Sequence, residues 1–183
     1  MQSEELIQSL IEQTRQTINH VERLKNLDIH NLNWRQNETS WSILECLKHM
    51  NLYGDFYLLE IENEMKKSIT TSEKEFKNGI LGGYFAKSML PKEKLNKMKT
   101  FKDKNPLNAK LDKTVLVNFI DQQVRLLNLL NSSRNVSLNK VKITTSISNL
   151  LRLKLGDTFQ FFINHIIRHL KQIDKIQIDL TNA

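Results

Sequence analysis

Apolar residues recur at helical spacing in four long stretches of the chain, and the segments between them are polar or irregular. The first stretch predicts a helix over Ser3 to Leu24, with Leu6, Leu10, Ile11, Ile18 and Val21 on one face. Ser3 is its expected N-cap, and Glu4 and Glu5 suit the positive end of the dipole. A polar connector follows, NLDIHNLNWRQNETS. The second helix is expected to start at Thr39 or Ser40 and to run to about Met65. It buries Ile43, Leu47, Met50, Gly54, Tyr57 and Ile61 and closes on Lys66 and Lys67. The third spans about Asp112 to Asn131, with Val115, Phe119, Val124, Leu126, Leu127 and Leu130 as its apolar residues. The fourth opens at GDTFQ with Asp157 as N-cap and reaches about Ile176. Its stripe is Phe159, Phe162, Ile163, Ile166, Leu170 and Ile173.

The period breaks between the second and third helices. Residues 68–111 contain GILGGYF, MLPKEKL and DKNPLN, and a connection of that length marks a functional loop or an inserted element. A short helix over PKEKLNKM fits, with Pro91 in its first turn. The stretch VSLNKVKITTSISNLLRLKL reads as irregular, with a short strand or helix inside it. Four amphipathic helices bury their stripes most simply as a bundle, so residues 1–183 are expected to form a single all-α domain. Two prolines and five glycines agree with long helices rather than a turn-rich β fold.

Composition narrows the setting. One cysteine, Cys46, rules out a disulfide within the chain. The acidic, amphipathic start MQSEELIQSLIEQ is not expected to be a signal peptide, and no run of about 18 apolar residues is present to span a membrane. A cytoplasmic location and no membrane partner are the expectations. The net charge of +7 is concentrated: nine lysines and only three acids lie between Lys87 and Lys113, and the rest is close to neutral.

The candidate chemistry lies in FFINHIIRHLKQI. His165 and His169 sit four apart, on one flank of the fourth helix's stripe. Two imidazoles one turn apart can share a metal ion at about 2.1 Å, and a catalytic zinc typically takes three protein ligands. Of His20, His30 and His49, the last is best placed as a third, in mid-helix at the edge of an apolar stripe. The plainer reading makes all three hydrogen-bonded packing residues.

The stretch TSWSILECLKHM, with Trp41, Ser42, Glu45 and His49, resembles the second-helix signature of the DinB-like superfamily. FFINHIIRHLKQIDKI, with His165, Arg168, His169 and Gln172, resembles the same family's last helix. The resemblance implies an up-down-down-up four-helix bundle, DinB-like, with His49, His165 and His169 as ligands to zinc, nickel or a related divalent ion. It also makes a homodimer an expectation. Some members resemble transferases that use a low-molecular-weight thiol such as bacillithiol or mycothiol, others a thiol-dependent isomerase, and many have no known activity. Nothing specific carries over to residues 68–156.

Three neutral imidazoles leave a divalent ion its full charge, which lowers the pKa of bound water and deprotonates a coordinating thiol. That chemistry suits a thiol or water alike; the resemblance implies, as the leading expectation, a thiol S-transferase acting on a small-molecule substrate, with a metal-dependent hydrolase as the alternative. The competing class is a non-enzymatic module that binds nucleic acid or protein through the lysine-rich segment. That segment contains only Phe101 as an aromatic and no recognisable module, so nucleic acid is not the expected partner. It reads as a solvated loop, or as a border of the metal pocket that attracts an anionic thiol or substrate. Tyr53, one turn after His49, is either a proton donor to the metal-bound group or a wall residue. Glu45, one turn before it, either orients the imidazole or caps the helix. Cys46 reads as a small hydrophobe, Arg168 and Gln172 as structural, and Trp41 as packing at the bundle end.

Overall fold

Among the described residues only one of the four long helices, that of His49, opens on a side-chain cap, and three N-terminal ends differ from those expected. In the computed structural model, which describes residues 1–91 and 100–182, the helix carrying His49 is α3, Ile43–Lys67. Its N-cap is Ser42: the Ser42 hydroxyl accepts from Glu45 N at 3.2 Å, and the Glu45 carboxylate accepts from Ser42 N at 2.8 Å. This reciprocal capping box satisfies donors that a start at Thr39 or Ser40 would leave orphaned. The first helix, α1, covers Ser3–Leu24 with Gln2 rather than Ser3 as its N-cap, and Ser3 N donates to Lys74 O at 2.9 Å. The last helix, α6, runs over Leu155–Thr181, so Asp157 falls inside its first turn instead of capping it. Asp157 is buried and accepts from Asn78 Nδ2 at 2.8 Å and Gly79 N at 2.9 Å, which ties down the start of α4, Ile80–Met89.

The fold is mostly helical. Besides these helices there are a short α2, Ile29–Asn33, inside the polar connector, and α5, Thr114–Ser132. A two-stranded antiparallel hairpin pairs β1, Lys142–Thr144, with β2, Arg152–Lys154, and places Ile143 opposite Leu153. α3 packs against α5 and α6, α1 packs against the same two, and α4 covers the outer side of α6. The apolar stripes meet in one buried cluster that takes in Leu10, Leu47, Tyr57, Phe119, Leu126, Phe159, Phe162 and Ile166.

Of the expected α5 stripe, Val115, Phe119, Leu126 and Leu130 are buried, Leu127 is half-buried and Val124 is exposed, and Leu116, Gln123 and Leu129 are buried beside them. Ile18 of α1 is likewise only half-buried, and Thr14 and Thr17 take the buried places, each hydroxyl donating to the carbonyl four residues back. The helix expected over PKEKLNKM lies, apart from Pro91, outside the described residues. Among the described residues no helix is long and apolar enough to cross a membrane.

Candidate metal centre

α3 and α6 lie side by side, with Tyr57 against Phe161 and Phe162. That packing brings His49 of one helix to His165 and His169 of the other. His49 and His165 are buried and His169 is half-buried. His165 Nε2 lies 3.4 Å from His49 Nε2 and 3.0 Å from His169 Nε2. Three nitrogens at about 2.1 Å from one ion lie about 3.4 Å apart in a tetrahedral shell and about 3.0 Å apart in an octahedral one. Two of the three spacings fall in that range, and all three ligand nitrogens lie within 4.8 Å of one another.

The outward nitrogens show which way two rings are set. His49 Nδ1 stands 2.7 Å from the carbonyl oxygen of Lys104, which can only accept, so Nδ1 carries the proton. His169 Nδ1 donates in the same way to Gln172 Oε1 at 2.9 Å. In a neutral imidazole the other nitrogen then holds a lone pair, so both Nε2 atoms turn lone pairs inward. His165 can offer one N–H between them, which leaves at least one buried lone pair without a donor. A divalent cation answers all three, and the donor set fits it on that ground. His165 Nδ1 is buried and has no hydrogen-bond partner among the described residues.

The electrostatics keep the rings neutral. Burial pushes His49 down to about 4 and His169 down to about 3, and it carries His165 well below the ordinary histidine value. Like charge acts in the same sense, from His169, His49 and the buried Arg168 on His165, from His49 and Arg168 on His169, and from Lys104 on His49. Neutral imidazoles are the form that binds metal. His20 instead pairs with Asp174 at 3.2 Å, and His30 is exposed on α2.

The neighbours divide differently from the sequence reading. Tyr53 is buried, with its ring centroid 5.0 Å from that of His49 and 4.8 Å from that of His165. Its hydroxyl has no hydrogen-bond partner among the described residues, and burial raises it to about 12, so it stays protonated. Trp41 borders the centre, 4.7 Å from His49 and 5.9 Å from His169 between ring centroids. Gln172, read as structural, is the acceptor that orients His169. The Lys104 carbonyl had no side-chain signal in the sequence. Glu45 touches no imidazole; it caps α3 and binds Arg35. Cys46 is buried, and its thiol is pushed far above its ordinary range, as a small hydrophobe would be.

Four lysines of the basic segment, Lys92, Lys94, Lys97 and Lys99, lie outside the described residues. Beyond them, Lys104 and Asn105 border the centre. Lys104 ends a 3₁₀ turn, Lys102–Lys104, and Asn105 accepts from Trp41 Nε1 at 3.1 Å. A family model described as the DinB superfamily matches residues 10–173. No curated protein and no solved structure matches the chain.

Proposed function

The chain belongs to the DinB superfamily, and from that membership and the converging imidazoles we propose that it is a metal-dependent enzyme in which His49, His165 and His169 hold one divalent ion. The observation that carries this reading is the inward convergence of three Nε2 atoms while two of the Nδ1 atoms donate outward. Among the ions that suit imidazole, zinc and nickel are the ones we favour. The finer architecture of the proposal is an up-down-down-up bundle of α1, α3, α5 and α6 forming one domain. Contacts between Glu4 and Arg134, Asn51 and Val115, and His20 and Asp174 support that order.

The reaction we favour joins a low-molecular-weight thiol to a small electrophile, in the cytoplasm, where thiols stay reduced. An ion held by neutral ligands supplies Lewis acidity that makes a thiol or water a nucleophile near neutral pH. The chain's own residues do the rest. The three imidazoles fix the point of reaction and add no negative charge to it. Tyr53, protonated and without a partner among the described residues, donates a hydrogen bond or proton to the reacting group. Trp41 walls one side and limits access of water.

The test is metal analysis coupled to a thiol panel. Protein incubated with zinc or nickel should retain about one ion per chain, and a His49→Ala, His169→Ala double variant should retain only a trace. Consumption of monochlorobimane should then depend on which thiol is supplied. Wild-type protein with only trace metal would overturn the proposal, and turnover without any thiol would redirect it to hydrolysis.

A further inference from the structure

Glu45 is fully buried, yet it lies beside no metal-ligand nitrogen. A buried carboxylate survives only when its oxygens are satisfied. Here four donors converge on it: Ser42 N at 2.8 Å, Arg35 Nε at 2.9 Å, and Arg35 Nη2 and Asn108 N at 2.6 Å each. A capping box needs only the first of these. The other three reach outside the helix, to the connector before it and to a loop more than sixty residues later.

Asn108 shows how firmly that loop is set. Its φ of 67° is the left-handed conformation that asparagine tolerates better than other side chains. That conformation aims its N–H at Glu45, and its side-chain oxygen accepts from Arg35 Nη1 at 2.6 Å. Asn105 is tied to Trp41 in the same loop. Lys104 directly precedes Asn105, and its carbonyl is the acceptor for His49 Nδ1 at 2.7 Å.

We infer that Glu45, acting with Arg35 and Asn108, is a positioning residue for His49. It latches the Lys102–Lys104 turn to the head of α3, so that the Lys104 carbonyl keeps the His49 proton on Nδ1 and its Nε2 lone pair facing the centre. Without the latch the carbonyl withdraws, a buried Nδ1–H loses its partner, and the ring gains from carrying its proton on Nε2, where it blocks ligation. The chain thus recruits its late basic loop to set a ligand on an early helix. This inference rests on the metal-dependent reading for its consequence, though not for the latch itself.

The experiment compares wild type with Arg35→Ala, Glu45→Gln and Ser42→Ala. Zinc affinity is measured by chelator competition, the His49 tautomer by ¹⁵N NMR on the metal-free protein, and folding by circular dichroism. Arg35→Ala and Glu45→Gln should bind zinc about 10- to 100-fold more weakly, the range for losing an outer partner of a metal-binding histidine. Both should also lose the Nδ1–H signature of His49. Ser42→Ala removes the hydroxyl cap and keeps the Glu45 carboxylate, so it should melt earlier with zinc affinity and tautomer unchanged. Arg35 is partly exposed, so its variant still folds if Glu45→Gln does not. Wild-type affinity and tautomer in Arg35→Ala would overturn the latch. Equal weakening in Ser42→Ala would also overturn it, by reducing the effect to lost stability. If wild type takes up no zinc, the metal reading fails alone, and the tautomer measurement still decides the latch.

Discussion

At the residue scale, three buried neutral imidazoles make the metal-free protein sensitive to acid in a defined window. An unfolded histidine titrates near 6.5, while His49 and His169 are held down to about 4 and about 3. Below about pH 6.5 the unfolded chain takes up protons that the folded chain refuses, so stability falls with pH, by at most about 1.4 kcal/mol per unit for each histidine. Above that pH neither state is protonated and the contribution is flat. Urea unfolding of the metal-free protein between pH 4.5 and 7.5 should therefore give a steeper decline for wild type than for a His49→Gln, His169→Gln variant. Equal slopes would contradict the burial argument. Tyr53 makes a separate prediction. Tyr53→Phe should keep zinc affinity within about twofold and lower thiol transfer by about 10²-fold or more, the ordinary range for a general acid. Unchanged turnover would return Tyr53 to a wall residue. Both tests concern residues the sequence offered as candidates, the histidines by their spacing and the family resemblance and Tyr53 as either proton donor or wall residue. Gln172 was visible in the motif that follows His169 and was read as structural, with no sign that it would accept from the imidazole. The Lys104 carbonyl was invisible, because a main-chain acceptor leaves no trace in residue type.

At the element scale, glycines mark where a helix approaches a neighbour too closely for a side chain. A Cβ on Gly156 in the first turn of α6 would lie 2.5 Å from the Phe76 ring, which is itself buried. The ring has no room to retreat, so Gly156→Ala should destabilise by about 1–3 kcal/mol despite the better helix propensity of alanine. A Cβ on Gly54 of α3 would overlap the end of the Gln122 side chain, which can swing away at the loss of its bonds to Asn51 O and Asp55. Gly54→Ala should therefore cost less, and chemical denaturation of the pair would contradict this reading if the order reversed. The same packing explains what the sequence hid. The four long helices were legible because each carries bulky residues inward at the helical period. α4 is mixed: Gly82 and Ala86 are buried and Phe85 and Met89 pack partly against the core, while Ile80, Leu81 and Tyr84 are exposed, so no single stripe registers. α2 buries only Leu32, and each strand of the hairpin is three residues long, too short for alternation to register.

At the scale of the whole molecule, the proposed ligands join elements that are far apart in the chain. His49 comes from α3, His165 and His169 from α6, and the carbonyl behind His49 from the loop leading to α5. An ion bound there ties those pieces together only in the folded state, because the unfolded chain does not hold the three imidazoles at one point. Binding then adds directly to folding free energy, by about 2.7 kcal/mol when free metal stands at a hundred times its Kd. For a chain of 183 residues that corresponds to a rise in Tm of about 5–10 °C. Calorimetry should show this rise for wild type with excess zinc, as one cooperative transition if the buried cluster serves a single domain. His169→Ala removes a ligand yet leaves Leu170, Ile166 and Ile173 to hold α6 in place, so it should fold and melt at one temperature with or without zinc. A zinc-dependent rise that persists in this variant would mean that the ion binds elsewhere on the chain. Two transitions in wild type, with only the later one moved by zinc, would mean that part of the chain folds independently of the α3–α6 pair.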